Sequence, residues 1–342
     1  MREAYSFDRS ALSDNITSLQ GRKVLLVGDV MLDEYLEGDA ERISPEAPIP
    51  VVKVARSRLL LGGAGNVARN IASLGGKAHL VSICGRDSKG DILNSILAEG
   101  AIESSMVTLP DRPTTLKTRV IARNQQMLRI DHEDSSPLAQ EDTAKILSEI
   151  HKIIDSYSII VVSDYGKGVV SKELMQGIMA LRDASRSKPR VLVDPKTPNY
   201  PLYEGVHILT PNAKETGEAA FMPVGSREEI LAAGRAILAN LRSEHLLTTL
   251  GSKGMALFLT PKTVWHIPTA ARKVFDVTGA GDTVMGTLAL CLAAGVDLLD
   301  ACVLANYAAG IVVADVGAST VTPETLQAEL AAAPEPEISR WA

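Results

Sequence analysis

Six short runs rich in β-branched and aliphatic residues recur along this chain, separated by stretches with helical spacing. This alternation limits the fold more than any other feature of the sequence. The runs are "KVLLVGDV" at 23–30, "AHLVSIC" at 78–84, "SIIVVSDY" at 158–165, "RVLVDPK" at 190–196, "HILTPN" at 207–212 and "LLTTLG" at 246–251. Helical spacing marks 66–74, 91–99, 141–154, 172–184 and 227–242. In the first of these, Val67, Ile71 and Leu74 repeat and Gly75 ends the run. The pattern predicts an α/β fold with a mostly parallel central sheet and helices on both faces.

Two segments break the alternation. Residues 35–63 and 114–133 read as strands with no helix between them, and "RNQQ" at 123–126 makes a hairpin turn. They predict a small antiparallel β-sheet lid, contributed by about 35–60 and 113–133. No linker or internal repeat divides the chain, so one domain over 10–330 is expected, with no second catalytic domain.

Charge and composition narrow the setting. A net charge of −6 gives no general attraction to nucleic acid or to anionic membranes, so cations that hold an anionic ligand must be local. Cys84, Cys291 and Cys302 are widely spaced and form no CxxC pair, which suggests neither a zinc site nor a disulfide framework. The first fifteen residues lack the apolar core of a signal peptide. The apolar region 284–313 is interrupted by Asp297, Asp300 and Asn306, and reads as two buried helices rather than a membrane span. A soluble cytoplasmic protein is expected.

Polar residues gather where the strand runs end: Asp29 and Asp33, Asp164, Asp194 and Lys196, Asn212, and the glycine-rich 251–254. Open parallel sheets bind ligands outside these carboxyl ends. Several familiar motifs are missing. "YGKGVV" and "GGKAHL" lack the Ser or Thr of a Walker loop, and "VGDVMLD" lacks a dinucleotide GxGxxG. No HExxH or GxSxG is present, and the six histidines are scattered. What remains is "LGGAGNVARNIASLG" at 61–75 and "FDVTGAGDTVMGTLAL" at 275–290. In the second, Gly279, Ala280 and Gly281 open a helix whose bare N–H groups favour an anion, yet Asp282 follows at once. From the residues alone Asp282 is either a first-turn carboxylate favoured by the helix dipole or a base acting beside a bound phosphate. Asp276 or Thr278 would be the N-cap on the first reading.

In this order, with "DPK", "TPN" and "TLGSKG" between them, the two glycine segments resemble the ribokinase (PfkB) family of carbohydrate kinases over nearly the whole chain. "LVGDVMLDEY", "RISPEAPIPVVKV", "RNQQ" and "VSDYGKG" are further similar to family members that phosphorylate D-glycero-β-D-manno-heptose 7-phosphate at O1, the kinase half of a bifunctional enzyme of lipopolysaccharide synthesis. No HxGH-type motif precedes Ala342. The resemblance therefore implies a stand-alone kinase acting before a separate phosphatase and nucleotidyltransferase.

The resemblance also assigns roles. Asp282 matches the catalytic base, and the backbone of Gly279, Ala280, Gly281 and Asp282 the anion hole. ATP would be held by Asn212, Lys214, Glu215, Thr249, Gly251, Ser252, Gly254, Asn306 and Ala309. Glu215 would act on Mg2+ through its waters, with a first-turn helix carboxylate as its plainer alternative. Asp276 and Thr278 match part of a monovalent cation (K+) site. Asp33, Gly62, Gly63 and Asn66 match hydroxyl-binding positions, and Asp194 and Lys196 are partners for hydroxyls or phosphate. A phosphorylated substrate needs cations, for which Arg42, Lys117 and Arg119 are the first candidates and Arg69 a weaker one. Apolar lid edges in "PIPVVKV" and "TRVIA" imply a homodimer through the lid. A sugar-binding regulator on the same fold and a nucleotide-dependent oxidoreductase are the readings from other classes. The intact Asp282 argues against the first, and the missing dinucleotide fingerprint against the second.

Overall fold

The computed structural model describes residues 5–123, 125–271, 277–314 and 320–342. Helix α1 (Arg9–Ser18) leads into β1 (Lys23–Gly28), and a single residue later the chain enters the two longest strands, β2 (Val30–Ile43) and β3 (Pro50–Gly63). Helix α2 (Ala64–Ser73) follows without a loop, then β4 (Lys77–Gly85), α3 (Ser88–Glu99) and β5 (Glu103–Leu109). A hairpin of β6 (Leu116–Ala122) and β7 (Gln125–His132) precedes α4 (Gln140–Ile153), β8 (Ile159–Ser163), α5 (Lys172–Ala184), β9 (Arg190–Asp194) and β10 (Ile208–Leu209). The rest comprises α6 (Ala213–Ala220), α7 (Arg227–Leu241), β11 (His245–Thr249), β12 (Met255–Thr260), β13 (Thr263–Ile267), α8 (Ala280–Ala293), α9 (Leu298–Val312), α10 (Pro323–Ala332) and β14 (Ser339–Arg340).

Ten strands form the main sheet in the order β14-β13-β12-β11-β10-β9-β8-β1-β4-β5, and β3-β2-β6-β7 form a second sheet. All pairings from β11 to β5 are parallel, and the β12–β14 edge is antiparallel. Burial explains the apolar runs. In β1, Val24 and Leu26 pack into the core layer that holds α2, α8 and α9, while Leu25 and Val27 pack into the layer of α4, α5 and α7. Both faces of each central strand are thus removed from water, as parallel strands covered by helices require. Residues 284–313 form two packed helices, and among the described residues no helix is long and apolar enough to cross a membrane.

The second sheet is the expected lid, with two differences. Its strands reach back to Val30 and on to Gly63, because only Asp29 separates β1 from β2 and no turn interrupts them. It is also mixed rather than antiparallel, since β2 pairs with β6 in parallel. Chain order reverses beside β1: β4 and β5 follow on one side, and β8 to β11 lie on the other. That switch point opens a crevice outside the carboxyl ends of β1 and β8, where ligands bind in sheets of this kind.

Candidate active site

Asp29 organises the crevice. Its buried carboxylate accepts from the backbone N–H groups of Tyr165 (2.8 Å), Lys167 (3.0 Å) and Val169 (3.1 Å), folding the segment after β8 against the end of β1. Asp164 is likewise internal, accepting from Gly166 N–H, the Asn199 amide and the Tyr203 hydroxyl at 2.6–2.7 Å. These two strand-end acids therefore shape the backbone rather than face a ligand.

The folded segment directs Tyr165 toward Asp282 in the first turn of α8. The Tyr165 hydroxyl donates to Asp282 Oδ1, and Asn66 Nδ2 donates to Oδ2 at 2.5 Å. Asp282 is only 6% exposed. Burial pushes its carboxyl up to about 6, although the two hydrogen bonds act the other way. Burial and then the Asp282 charge raise the Tyr165 phenol well above its ordinary value, so it remains a donor. Sequence reading missed Tyr165, since an aromatic after a strand carries no periodic signal.

Glycine makes both helix starts possible. Gly279, at φ +80°, begins α8, and a Cβ there would lie 2.9 Å from the Asn66 amide nitrogen. Gly63, at φ +56°, begins α2, where a Cβ would lie 2.4 Å from the Asp29 carbonyl oxygen. The helices are cross-linked behind the site: Asn70 Nδ2 donates to the Asn66 carbonyl (2.9 Å), and Thr283 Oγ1 to Asn70 Oδ1 (3.0 Å). Asn66 Oδ1 is buried with no hydrogen-bond partner among the described residues, an acceptor on the lining of the same site.

Two pockets meet at the start of α8. One, about 110 Å³, lies between lid and sheet and is lined by Asp33, Gly63, Asn66, Lys117, Arg119, Tyr165, Thr278, Gly279 and Asp282, among others. There Arg119 donates to Asp33 at 2.5 Å, and the Lys117 ammonium sits 6.0 Å from the centre of the Tyr165 ring. Burial, and then the nearby Lys167 charge, pull the Lys117 pKa below that of an ordinary lysine. The other pocket, about 370 Å³, is lined by Thr249, Gly251, Ser252, Gly254, Ala280, Gly281, Val284, Asn306, Ala309 and Val313, among others. Asn306 also holds the wall, donating to the Pro268 carbonyl at 2.7 Å.

Other expected site residues fall outside these two linings. Asn212 and Glu215 form a reciprocal capping box at α6: the Asn212 side chain accepts from Glu215 N–H (2.9 Å), and Glu215 accepts from Asn212 N–H (3.0 Å). Lys214 and Lys196 are exposed. Gly62 is buried beside the pocket, where a Cβ would lie 2.4 Å from Asp33 Oδ2. Arg42 is exposed near the far end of the lid, opposite Val51. Arg69 is partly buried, and Asp282, Tyr35 and Asp33 act on its charge. Asp276 lies outside the described residues. Burial, with the charges of Asp282 and Glu215, raises the Asp194 carboxyl well above its ordinary value, and burial also raises Glu215.

Residues 22–325 match the pfkB family carbohydrate kinases. The chain belongs to that family. As a PfkB sugar kinase it is a phosphotransferase. Among curated relatives, bifunctional protein HldE of Paramagnetospirillum magneticum is 43% identical over 318 residues, covering 93% of this chain and 65% of that protein. The bifunctional protein HldE of Geobacter metallireducens is 45% identical over 300 residues, 87% of this chain and 61% of that one. The chain thus spans less than two thirds of the length of these relatives. The fold is shared with Arabidopsis thaliana ribokinase complexed with ribose and ATP (TM-score 0.71, 20% identity, 91% of this chain and 99% of that one). It is shared too with Escherichia coli phosphofructokinase-2 in complex with potassium (TM-score 0.78, 20% identity, again 91% and 99%).

Proposed function

We propose that this PfkB kinase transfers the γ-phosphoryl group of ATP to O1 of D-glycero-β-D-manno-heptose 7-phosphate, giving the 1,7-bisphosphate and ADP. The observation that carries the reading is the start of α8, where Ala280 and Gly281 line one pocket and Asp282 lines the other. Backbone N–H groups at the helix start stabilise charge on the transferring phosphoryl group. Asp282 accepts the O1 proton as O1 bonds to phosphorus and the bond to ADP breaks, a contribution of roughly 10²–10⁴-fold for a positioned base. This division of labour resolves the conflict between the glycines and Asp282.

The larger, mostly apolar pocket suits the adenine, with the 251–254 turn leading to the phosphates. In the smaller one, Asp33 and the unpartnered Asn66 Oδ1 suit sugar hydroxyls. Lys117 and Arg119, which line this pocket, would meet the 7-phosphate. Mg2+ fits the chemistry of Asp194 and Glu215, two carboxyls whose charge is disfavoured by burial and, for Asp194, by its acidic neighbours. They would hold it directly or through water, and it would neutralise charge on the ATP phosphates. Thr278, on the lining of the sugar pocket, would belong to the expected K+ position. On this reading the reaction runs in the cytoplasm, before a phosphatase and a nucleotidyltransferase, in ADP-heptose synthesis.

The heptose itself rests on identity with HldE proteins along 87–93% of the chain and on the cations of the lid. ADP release with ATP and Mg2+ should give a kcat/KM for the heptose 7-phosphate at least ~100-fold above those for fructose 6-phosphate and ribose. Equal values would remove the heptose assignment while leaving a sugar kinase.

A further inference from the structure

The six histidines are scattered in the sequence, but the fold brings two of them together at the end of the sheet opposite the active site. His207 immediately precedes β10 and His245 is the first residue of β11, so both stand at the amino ends of adjacent parallel strands. His245 N–H donates to the His207 carbonyl at 2.9 Å, and the imidazoles meet edge to face with centroids 5.0 Å apart. Glu244 adds a carboxylate 2.9 Å from His207 Nδ1. One donor atom from each of the three lies within 4.8 Å of the others.

We propose that His207, Glu244 and His245 form a binding site for a divalent transition metal of the zinc, cobalt or nickel type, clamping the starts of β10 and β11. Three features support it. Two imidazoles and one carboxylate are the donors of many three-ligand zinc sites, with water completing the tetrahedron. His207 Nδ1 and Glu244 Oε2, hydrogen-bonded at 2.9 Å, need to part by only about 0.5 Å to share a tetrahedral ion with bonds of about 2.0–2.2 Å, the ion displacing the Nδ1 proton. His245 Nδ1 lies 3.0 Å from the Leu259 carbonyl oxygen, which can only accept; this fixes the proton on Nδ1 and leaves the Nε2 lone pair for a metal. A backbone carbonyl in that role is the usual support of a metal-bound histidine.

The mixed nitrogen and oxygen donors disfavour Mg2+, which prefers all-oxygen octahedra, so the site would not compete for the ion used in phosphoryl transfer. Side-chain exposure of 11% at His207 and 64% at Glu244 gives a fixed inner wall and an adjustable outer ligand. Burial disfavours the charged form of both imidazoles, against the opposing pull of the Glu244 carboxylate. Arg190 faces the pair and opposes a cation, but its guanidinium is tied to the Leu292 carbonyl at 2.8 Å.

Zn2+ titrated into the metal-free full chain without nucleotide should bind at one equivalent and raise Tm. Co2+ should give the visible absorption of a tetrahedral nitrogen–oxygen site. Both effects should vanish in His245→Ala and weaken in Glu244→Gln, while Asp282→Asn keeps them. ADP release in Mg2+ should be unchanged in His245→Ala, which also reports that the variant is folded. Binding that survives in His245→Ala with His207→Gln, or no binding at about 100-fold excess over micromolar affinity, would overturn the proposal.

Discussion

At the residue scale, the proposed role of Asp282 as base requires it to be ionised, yet it is buried where ionisation is disfavoured. Its carboxyl, pushed up to about 6, is close enough to neutrality to be mostly ionised at pH 7 and still to accept a proton. As the base works only when ionised, kcat/KM should fall about tenfold per pH unit below roughly 6. Substrate phosphate groups titrate in the same range, so the wild-type profile alone does not isolate the residue. Tyr165→Phe does, because it removes the hydroxyl that donates to Asp282 Oδ1 and leaves substrate and fold in place. The loss of one hydrogen bond to the ionised form should move the acid limb upward by about one pH unit. An unmoved limb would mean that Tyr165 does not tune Asp282.

At the element scale, the parts of the fold that could be read from the sequence are those whose burial leaves a period. Central strands such as β1 and β8 are apolar throughout because helices cover both faces, and α5 was legible at both ends because Ser171 caps it and its inner face repeats. Strand β5 ("ESSMVTL") lies at an edge with a mixed burial pattern, and it went unread, as did β12, β13 and α10. The lid was legible as strands but not in its pairing, because alternation does not say which neighbour a strand takes. Nor does alternation say which face a cation occupies: Lys117 and Arg119 line the pocket while Arg42 stays exposed. The lid sheet leaves Ile43, Val54, Leu128 and Ile130 exposed, as is Ile49 just before β3, and among the described residues its outer strands β3 and β7 each pair on one side only. The proposed homodimer would cover them with a second copy. Sedimentation should give a dimer, and Leu128→Glu with Ile130→Glu should give a monomer. A wild-type monomer at micromolar concentration would contradict the pairing.

For the whole molecule, the order of the strands places chemistry drawn from distant parts of the chain at one point. Asn66, Tyr165 and Asp282 meet because β1 and β8 are neighbours at the switch point, with α2 and α8 packed behind them. The Gly279 to Asp282 segment could be found from sequence because a helix start must be built locally. The Tyr165 contact could not, because it depends on Asp29 folding the segment after β8 across a separation of 136 residues. The capping box of Asn212 and Glu215 belongs to the legible class, but its relation to Asp194 does not. The most direct test of the account is ADP release from ATP, Mg2+ and D-glycero-D-manno-heptose 7-phosphate, comparing the native chain with Asp282→Asn and measuring nucleotide binding to both. The account predicts turnover by the native chain, at least ~100-fold slower turnover by the variant, and ATP binding preserved in each. A variant that turns over as fast as the native chain would contradict the role of Asp282.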